Sequence, residues 1–445
     1  MSQGAVGRAR AQTGRQVVIV IVLALAVGVA LAVLARRNYF FDLRVYYGAL
    51  NYWARDGGEI YDYLKPFTPY GFTYPPFAAL AMLPMALVPL GLAQVISVTL
   101  AVTTTGLVLW WLVDPIARRQ GWTRWFAFAV VACLAAAFEP LRETVSFGQV
   151  NTLLLFLVAV DLLWFVRRGS RWGGVWIGLA TAIKLTPGIF IVYLLVTRRW
   201  RAAMTAIAAS TVVTLFAAAV APDASREFWT SALLNTNRVG SLAFVSNQSL
   251  QGMLDRLHLP HLSSALWPLL VLAVLVVWVW RLRAVPRAIV SAVARRVPAL
   301  RPATARPVDD VTGLALTGLV GVLVSPVTWV HHLVFLVPAL LLLVDHAFAA
   351  PAGSRRRRRL LAFAIISYAV LSSGIVWIWE HNDKGVLGFV GSSAYVWVTL
   401  ALLIALPLRE RPLSDERGGR SSAGPEPAHV AQLGEGDRQP SGRPL

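Results

Sequence analysis

From Val17 to Ala35 the chain runs for 19 residues without a charged side chain, and comparable apolar runs recur to the C-terminal region, separated by arginine clusters or polar loops. About 20 apolar residues suffice for a helix to cross the hydrocarbon core of a bilayer. In that solvent the backbone must satisfy its own hydrogen bonds, which leaves helices or closed barrels. The pattern predicts an all-α polytopic membrane protein. A content of 57% hydrophobic and 14% charged residues agrees, since soluble chains carry about a quarter charged residues. The net charge of +19 does not point to nucleic acid. Its basic residues fall in short clusters between apolar runs, as in cytoplasmic loops. The single cysteine, Cys133, lies inside an apolar run, so neither a disulfide nor a cysteine metal site is available. The first run is too long for the core of a cleavable signal peptide and reads as a span.

Arginine clusters orient the spans. Residues 1–16, with Arg8, Arg10 and Arg15, are placed inside, and residues 36–91 outside. Pro75, Pro76, Pro84 and Pro89 break any long helix in residues 73–91, which therefore read as a juxtamembrane segment. Leu92–Val113 returns to Arg118, Arg119 and Arg124; 125–138 goes out; 152–166 returns to Arg167, Arg168 and Arg171. Residues 173–197 have arginines on both flanks and read as a hairpin of two short helices with IKLTP at its outer tip. Residues 202–221 lead to a second outer loop, 222–264, and 265–280 returns to a loop rich in arginine from Arg281 to Arg306. Four further spans, with Arg355–Arg359 inside, bring the total to about 12 membrane segments within 17–406. Both termini are then cytoplasmic, and the tail 407–445, rich in Pro, Gly, Ser and charge, reads as disordered.

Residues 36–77 combine Asp42 with a high density of tyrosines, amphipathic rings suited to a membrane interface. The only lysines are Lys65, Lys184 and Lys384, all on the outer side of this topology. Lys184 stands among apolar residues at a proline-broken tip, which is costly and marks a functional site. Further polar groups at the outer boundary are Gln149 and Asn151 of FGQVN, Asn247, Gln248 and Ser249 of NQS, and the pair His331–His332. Tyr74, before Pro75 and Pro76, shapes the loop or stacks on a substrate. If the segments pack as a bundle, these groups converge on one cavity that holds a carboxylate base, cations and amide donors, with no acidic cluster for a metal.

Such a set suits group transfer from a lipid phosphate. Cleaving an ordinary glycoside requires a second carboxyl group to protonate the leaving oxygen, whereas a sugar carried on a phosphate departs with a stable anion. One base beside the acceptor hydroxyl, worth roughly two to four powers of ten in rate, and cations that hold the phosphate are enough. Plainer readings stay open: Asp42 as a helix cap, Lys184 snorkelling to the interface, GQVN and NQS as capping residues. A transporter or lipid-carrier flippase also has broken helices with polar groups in the membrane.

The ordered set FD after the first span, YPP, GQVN, IKLTP, NQSL and SPVTWVHH resembles the actinobacterial polyprenyl-phosphate-mannose-dependent mannosyltransferases of glycosyltransferase family 87, over about residues 17–406. The resemblance implies a GT-C fold and an inverting transfer of mannose to a lipid-linked glycan acceptor on the outer face of the plasma membrane, without a cofactor. It implies Asp42 as the base and Lys184 with His331 and His332 at the donor phosphate; Tyr74, Gln149, Asn151, Asn247 and Gln248 are read from their chemistry and position as substrate-binding residues. Relatives act on phosphatidylinositol mannosides, lipomannan and other envelope glycans, so the product stays open.

Overall fold

A computed structural model describes residues 3–34, 38–233, 235, 240–283 and 308–409. The tail expected to be disordered beyond residue 409, the inner-loop arginines Arg287, Arg295, Arg296, Arg301 and Arg306, and residues 236–239 of the second outer loop lie outside the described residues.

Among the described residues every regular element is helical; isolated β-type pairings join Leu64 with Gly71 and Asn247 with Trp329. In chain order the helices are α1 (Gln3–Leu34), α2 (Phe41–Ala54), α3 (Pro76–Met82), α4 (Leu90–Gln120), α5 (Arg124–Ala137), α6 (Glu139–Phe147), α7 (Asn151–Val160), α8 (Val175–Ile183) and α9 (Ile189–Val196). They continue with α10 (Trp200–Val220), α11 (Pro222–Glu227), α12 (Leu250–Asp255), α13 (Pro260–Leu282), α14 (Asp310–Val324), α15 (Val337–Ala349), α16 (Arg355–Ser372), α17 (Gly385–Ser392) and α18 (Ala394–Ala405). Five stretches are long and apolar enough to cross a membrane: Gln12–Val33, Leu90–Gln120, Trp200–Val220, His261–Leu282 and Val330–Ala349. The pairs α5–α6 and α17–α18 are bent by 66° and 61°, and counting each as one span gives seven. Shorter apolar helices fill the interior, and α14 is buried along nearly its whole length.

The break in residues 173–197 follows from local chemistry. Asp161 is buried and accepts from the N–H groups of Gly174, at 2.8 Å, and Ile177, at 2.9 Å, so a carboxylate sits on the positive end of α8. At the other end Pro187 has no N–H, and its ring would clash with the carbonyl of Ile183 if the helix continued. The chain leaves helical geometry at Lys184 (φ −150°, ψ 130°). Helix α8 packs on α10 through small residues. A Cβ on Gly174 would come within 2.1 Å of the Ala202 carbonyl, and one on Gly178 within 2.5 Å of the Ala206 carbonyl. Backbone approach of this kind is how helices associate in lipid. The rising register makes α8 and α10 parallel, so α9 between them reverses direction.

Two ends of the bundle can be told apart. At one, Arg119 pairs with Asp345 at 2.7 Å, Arg409 bridges Asp345, at 2.8 Å, and Asp309, and Arg199 pairs with Asp310. At the other, Tyr47 and Arg55 of α2 donate to the carbonyls of Val88 and Ala86, just before α4 begins. Helix α4 separates them: its 31 residues, at ~1.5 Å per residue, span roughly 45 Å. The helix that carries Asp42 therefore lies at the end opposite the arginine network. A second, smaller core built on Tyr46, Leu50, Ile60, Tyr61, Phe72 and Phe228 packs there.

Candidate active site

Asp42 sits in the first turn of α2, where the helix dipole favours a negative charge. The turn into this helix is tied to α6: the Phe40 N–H donates to the Ser146 carbonyl at 2.8 Å, and the Asn38 amide to the Ser146 hydroxyl at 2.7 Å. Helix α6 ends at Gly148, whose φ of 71° an L side chain rarely adopts and whose Cβ would lie 2.6 Å from that of Leu43. Only glycine permits this approach, and it delivers the next residue to Asp42. The Gln149 amide nitrogen donates to Asp42 Oδ2 at 2.6 Å and to the Tyr46 hydroxyl at 2.9 Å.

From Gln149 the network runs to Lys184. The Tyr74 hydroxyl donates to Gln149 Oε1 at 2.6 Å, and the Lys184 ammonium reaches the Tyr74 oxygen at 3.4 Å. Lys184 also donates to Asn151 Oδ1 at 3.0 Å and lies 2.8 Å from Nε2 of His332. Asn151 and Thr144 both donate to the carbonyl of His331, at 3.1 and 3.0 Å, which fixes the histidine pair against α6 and α7. The His331 ring packs beside Phe147 and edge-on to His332, and neither of its buried nitrogens has a hydrogen-bond partner among the described residues. Leaving buried polar atoms unpaired is costly.

Burial raises the pKa of Asp42 to about 6, against the opposing pull of the Gln149 hydrogen bond and the charges of Lys184 and Lys65. The carboxylate is therefore a moderately strong base that is mostly ionised at neutral pH.

Seven of the residues singled out in the sequence thus meet: Asp42, Tyr74, Gln149, Asn151, Lys184, His331 and His332. Asn247, Gln248 and Ser249 do not join them; the Ser249 hydroxyl donates to the Pro326 carbonyl and caps α12. The Asn247 amide donates to the Leu242 and Pro326 carbonyls and accepts from the Thr328 N–H; the Gln248 amide donates to the Val245 and Ser392 carbonyls. They brace the segment that leads into His331. Tyr46, by contrast, was visible only as one tyrosine among many, yet its hydroxyl lies between Gln149 and Tyr74, 3.2 Å from the latter. Its place, four residues and about one turn after Asp42 on α2, was the available signal. Glu139, at the start of the helix that ends just before Gln149, is held by Trp377 at 2.6 Å and by Tyr395, away from this network. Among the described residues no group of three or more His, Cys, Asp or Glu could hold a metal.

The family model of glycosyltransferase family 87 matches residues 72–301, and two mycobacterial relatives align over most of their length. The chain belongs to glycosyltransferase family 87. A polyprenol-phosphate-mannose-dependent α-(1-2)-phosphatidylinositol mannoside mannosyltransferase of Mycolicibacterium smegmatis is 32% identical over 84% of this chain and 85% of the relative. Its Mycobacterium tuberculosis counterpart is 33% identical over 83% and 85%. A Mycobacterium tuberculosis enzyme named for the phosphatidylinositol pentamannoside is 32% identical over 84% and 82%. No solved structure matches. In this family 87 glycosyltransferase one carboxylate is joined through Gln149 and Tyr74 to the Lys184 side chain. The transporter reading that the residues left open gives way to the family assignment.

Proposed function

We propose that this family 87 glycosyltransferase moves mannose from polyprenyl-phosphate mannose to a phosphatidylinositol mannoside or related lipid-linked glycan, forming an α-(1-2) linkage with inversion. The relatives' names support donor, acceptor class and linkage. The network from Asp42 to Lys184 supports the chemistry and is the observation on which this reading rests.

In the proposed step Asp42 takes the proton of the acceptor hydroxyl as its oxygen attacks the mannose C1. The bond between C1 and the phosphate oxygen breaks on the opposite face, and the electron pair leaves with the phosphate. Lys184 and His332 hold that phosphate as charge accumulates on it. Gln149 and Tyr46 aim the carboxylate, and Tyr74 lines the path between base and leaving group. Asn247 and Gln248 contribute by holding the His331–His332 segment in place.

The proposed architecture is a GT-C fold of about 12 segments, counting the short apolar helices beside the long spans. The site opens on the outer leaflet of the plasma membrane and both termini are cytoplasmic. The separation of the Asp42 end from the arginine network along α4 supports this orientation.

Purified full-length protein in detergent, given polyprenyl-phosphate mannose labelled in the sugar and phosphatidylinositol mannosides, should yield a labelled product one hexose larger and sensitive to an α-1,2-mannosidase. No transfer from this donor, with transfer from an arabinosyl donor instead, would overturn the assignment.

A further inference from the structure

The segment that joins α2 to α3 folds back along α2 as a tight turn. Leu64 pairs with Gly71, the Lys65 N–H donates to the Tyr70 carbonyl at 2.8 Å, and the Thr68 N–H and hydroxyl both donate to the Lys65 carbonyl, at 3.0 and 2.9 Å. The turn lies close on the helix: a Cβ on Gly48 of α2 would collide with the Tyr63 hydroxyl, and Tyr70 packs edge-on to Phe41. This seats the Lys65 ammonium 3.7 Å from the centre of the Phe41 ring, and Phe41 immediately precedes Asp42.

Arg44, three residues after Phe41, shares its face of α2. Two cations therefore stand side by side on the rim of the Asp42 site. Burial and the neighbouring Arg44 charge hold the pKa of Lys65 below its ordinary value, against the pull of Asp42. Among the described residues neither cation forms an ion pair. The Arg44 Nε donates to the Tyr39 carbonyl at 3.0 Å, Lys65 rests on an aromatic face, and Asp42 is itself held by Gln149. Like charges at such a rim repel, and an anion that binds both relieves the repulsion. The rim lies only a short connection beyond Val33, where the first apolar stretch ends. That is the depth of lipid headgroups.

Resting on the function proposed above, we infer that Lys65 and Arg44 bind the phosphodiester of an anionic phospholipid acceptor and so select it over neutral glycans. The donor phosphate, assigned to Lys184, lies at the far end of the network through Gln149 and Tyr74, so the two phosphates do not compete. The Cα atoms of Phe41 and Asp42 are ~3.8 Å apart, as in any consecutive pair. An anion on Lys65 is then within one or two sugar units of a hydroxyl at the base. The acceptor is a phosphatidylinositol that carries few mannoses, with its charge still close to the reacting sugar.

The test compares, as acceptors for the full-length protein in nanodiscs of neutral lipid, a short phosphatidylinositol mannoside and its methylphosphonate analogue, which keeps the shape and loses the charge. Wild type is expected to favour the charged acceptor by about tenfold or more in kcat/KM, the scale of a hydrogen bond between charged groups, and the preference should shrink as salt rises. Lys65→Gln combined with Arg44→Gln should bring the ratio near one, and Arg44→Gln alone should bring it part of the way. Inhibition by free polyprenyl phosphate checks that each variant is folded. A wild-type ratio near one, or one insensitive to salt, would overturn the proposal. So would equal losses with both acceptors in the folded double variant, because Lys65 would then act only through the charge of Asp42. Transfer to neither acceptor would count instead against the proposed function itself.

Discussion

The Lys184 ammonium nitrogen lies 2.8 Å from Nε2 of His332. When Lys184 is protonated it can only donate, so that Nε2 accepts and the ring carries its proton on Nδ1. In the proposed function each of these two groups binds a phosphate oxygen, so donor binding exchanges their mutual contact for phosphate contacts and the two side chains act as one unit.

Lys184→Met and His332→Ala should therefore each weaken inhibition by free polyprenyl phosphate by about 10- to 100-fold, the range for a hydrogen bond to a charged group. The double variant should fall well short of the product of the two effects. Inhibition constants for the four proteins provide the cycle; full additivity would mean that the two groups act independently.

The pH dependence follows from Asp42. As the proposed base its active form is the carboxylate, and burial has raised its pKa to about 6. Transfer measured as kcat/KM should fall as pH drops through 6, with roughly a tenth of the neutral-pH rate left near pH 5. An acid limb centred near pH 4 would identify a solvated carboxylate.

Gln149 donates to Asp42 at 2.6 Å and so stabilises its charged form. Gln149→Leu should lower kcat about tenfold and move the acid limb to higher pH, because the carboxylate loses a donor while remaining buried. A lower rate with an unmoved limb would leave Gln149 only a packing role.

Gly148→Ala should destabilise the protein by more than ~1 kcal/mol, the usual cost of forcing an L residue into left-handed geometry, because the added methyl also meets Leu43 at 2.6 Å. Gly121→Ala, at φ 67° with nothing within 4 Å, meets only the first cost. Thermal unfolding in detergent should rank Gly148→Ala well below Gly121→Ala.

Lys184 and Asp42 were legible in the sequence because a charge beside apolar runs has few structural excuses, and Pro187 announced the broken tip. The long spans Val17–Ala35 and Ala202–Ala221 were legible from length alone. Asn247 and Gln248 looked like ligands because an amide's hydrogen-bonding capacity is visible in sequence, whereas the backbone carbonyls that take up their NH2 groups are not. Tyr46 was hidden among many interfacial tyrosines; only its place one turn after Asp42 on α2 singles it out. The bends at Phe138 and Ser393 likewise depend on packing, which hydropathy does not record.

The account turns on Asp42 as the base that activates the acceptor. Asp42→Asn keeps shape and volume but removes the proton acceptor, so mannose transfer by the purified, folded variant is its most direct test. A loss of about 10²- to 10⁴-fold in kcat, with the affinity for polyprenyl phosphate retained, is the expected result; transfer within a few-fold of wild type would contradict it.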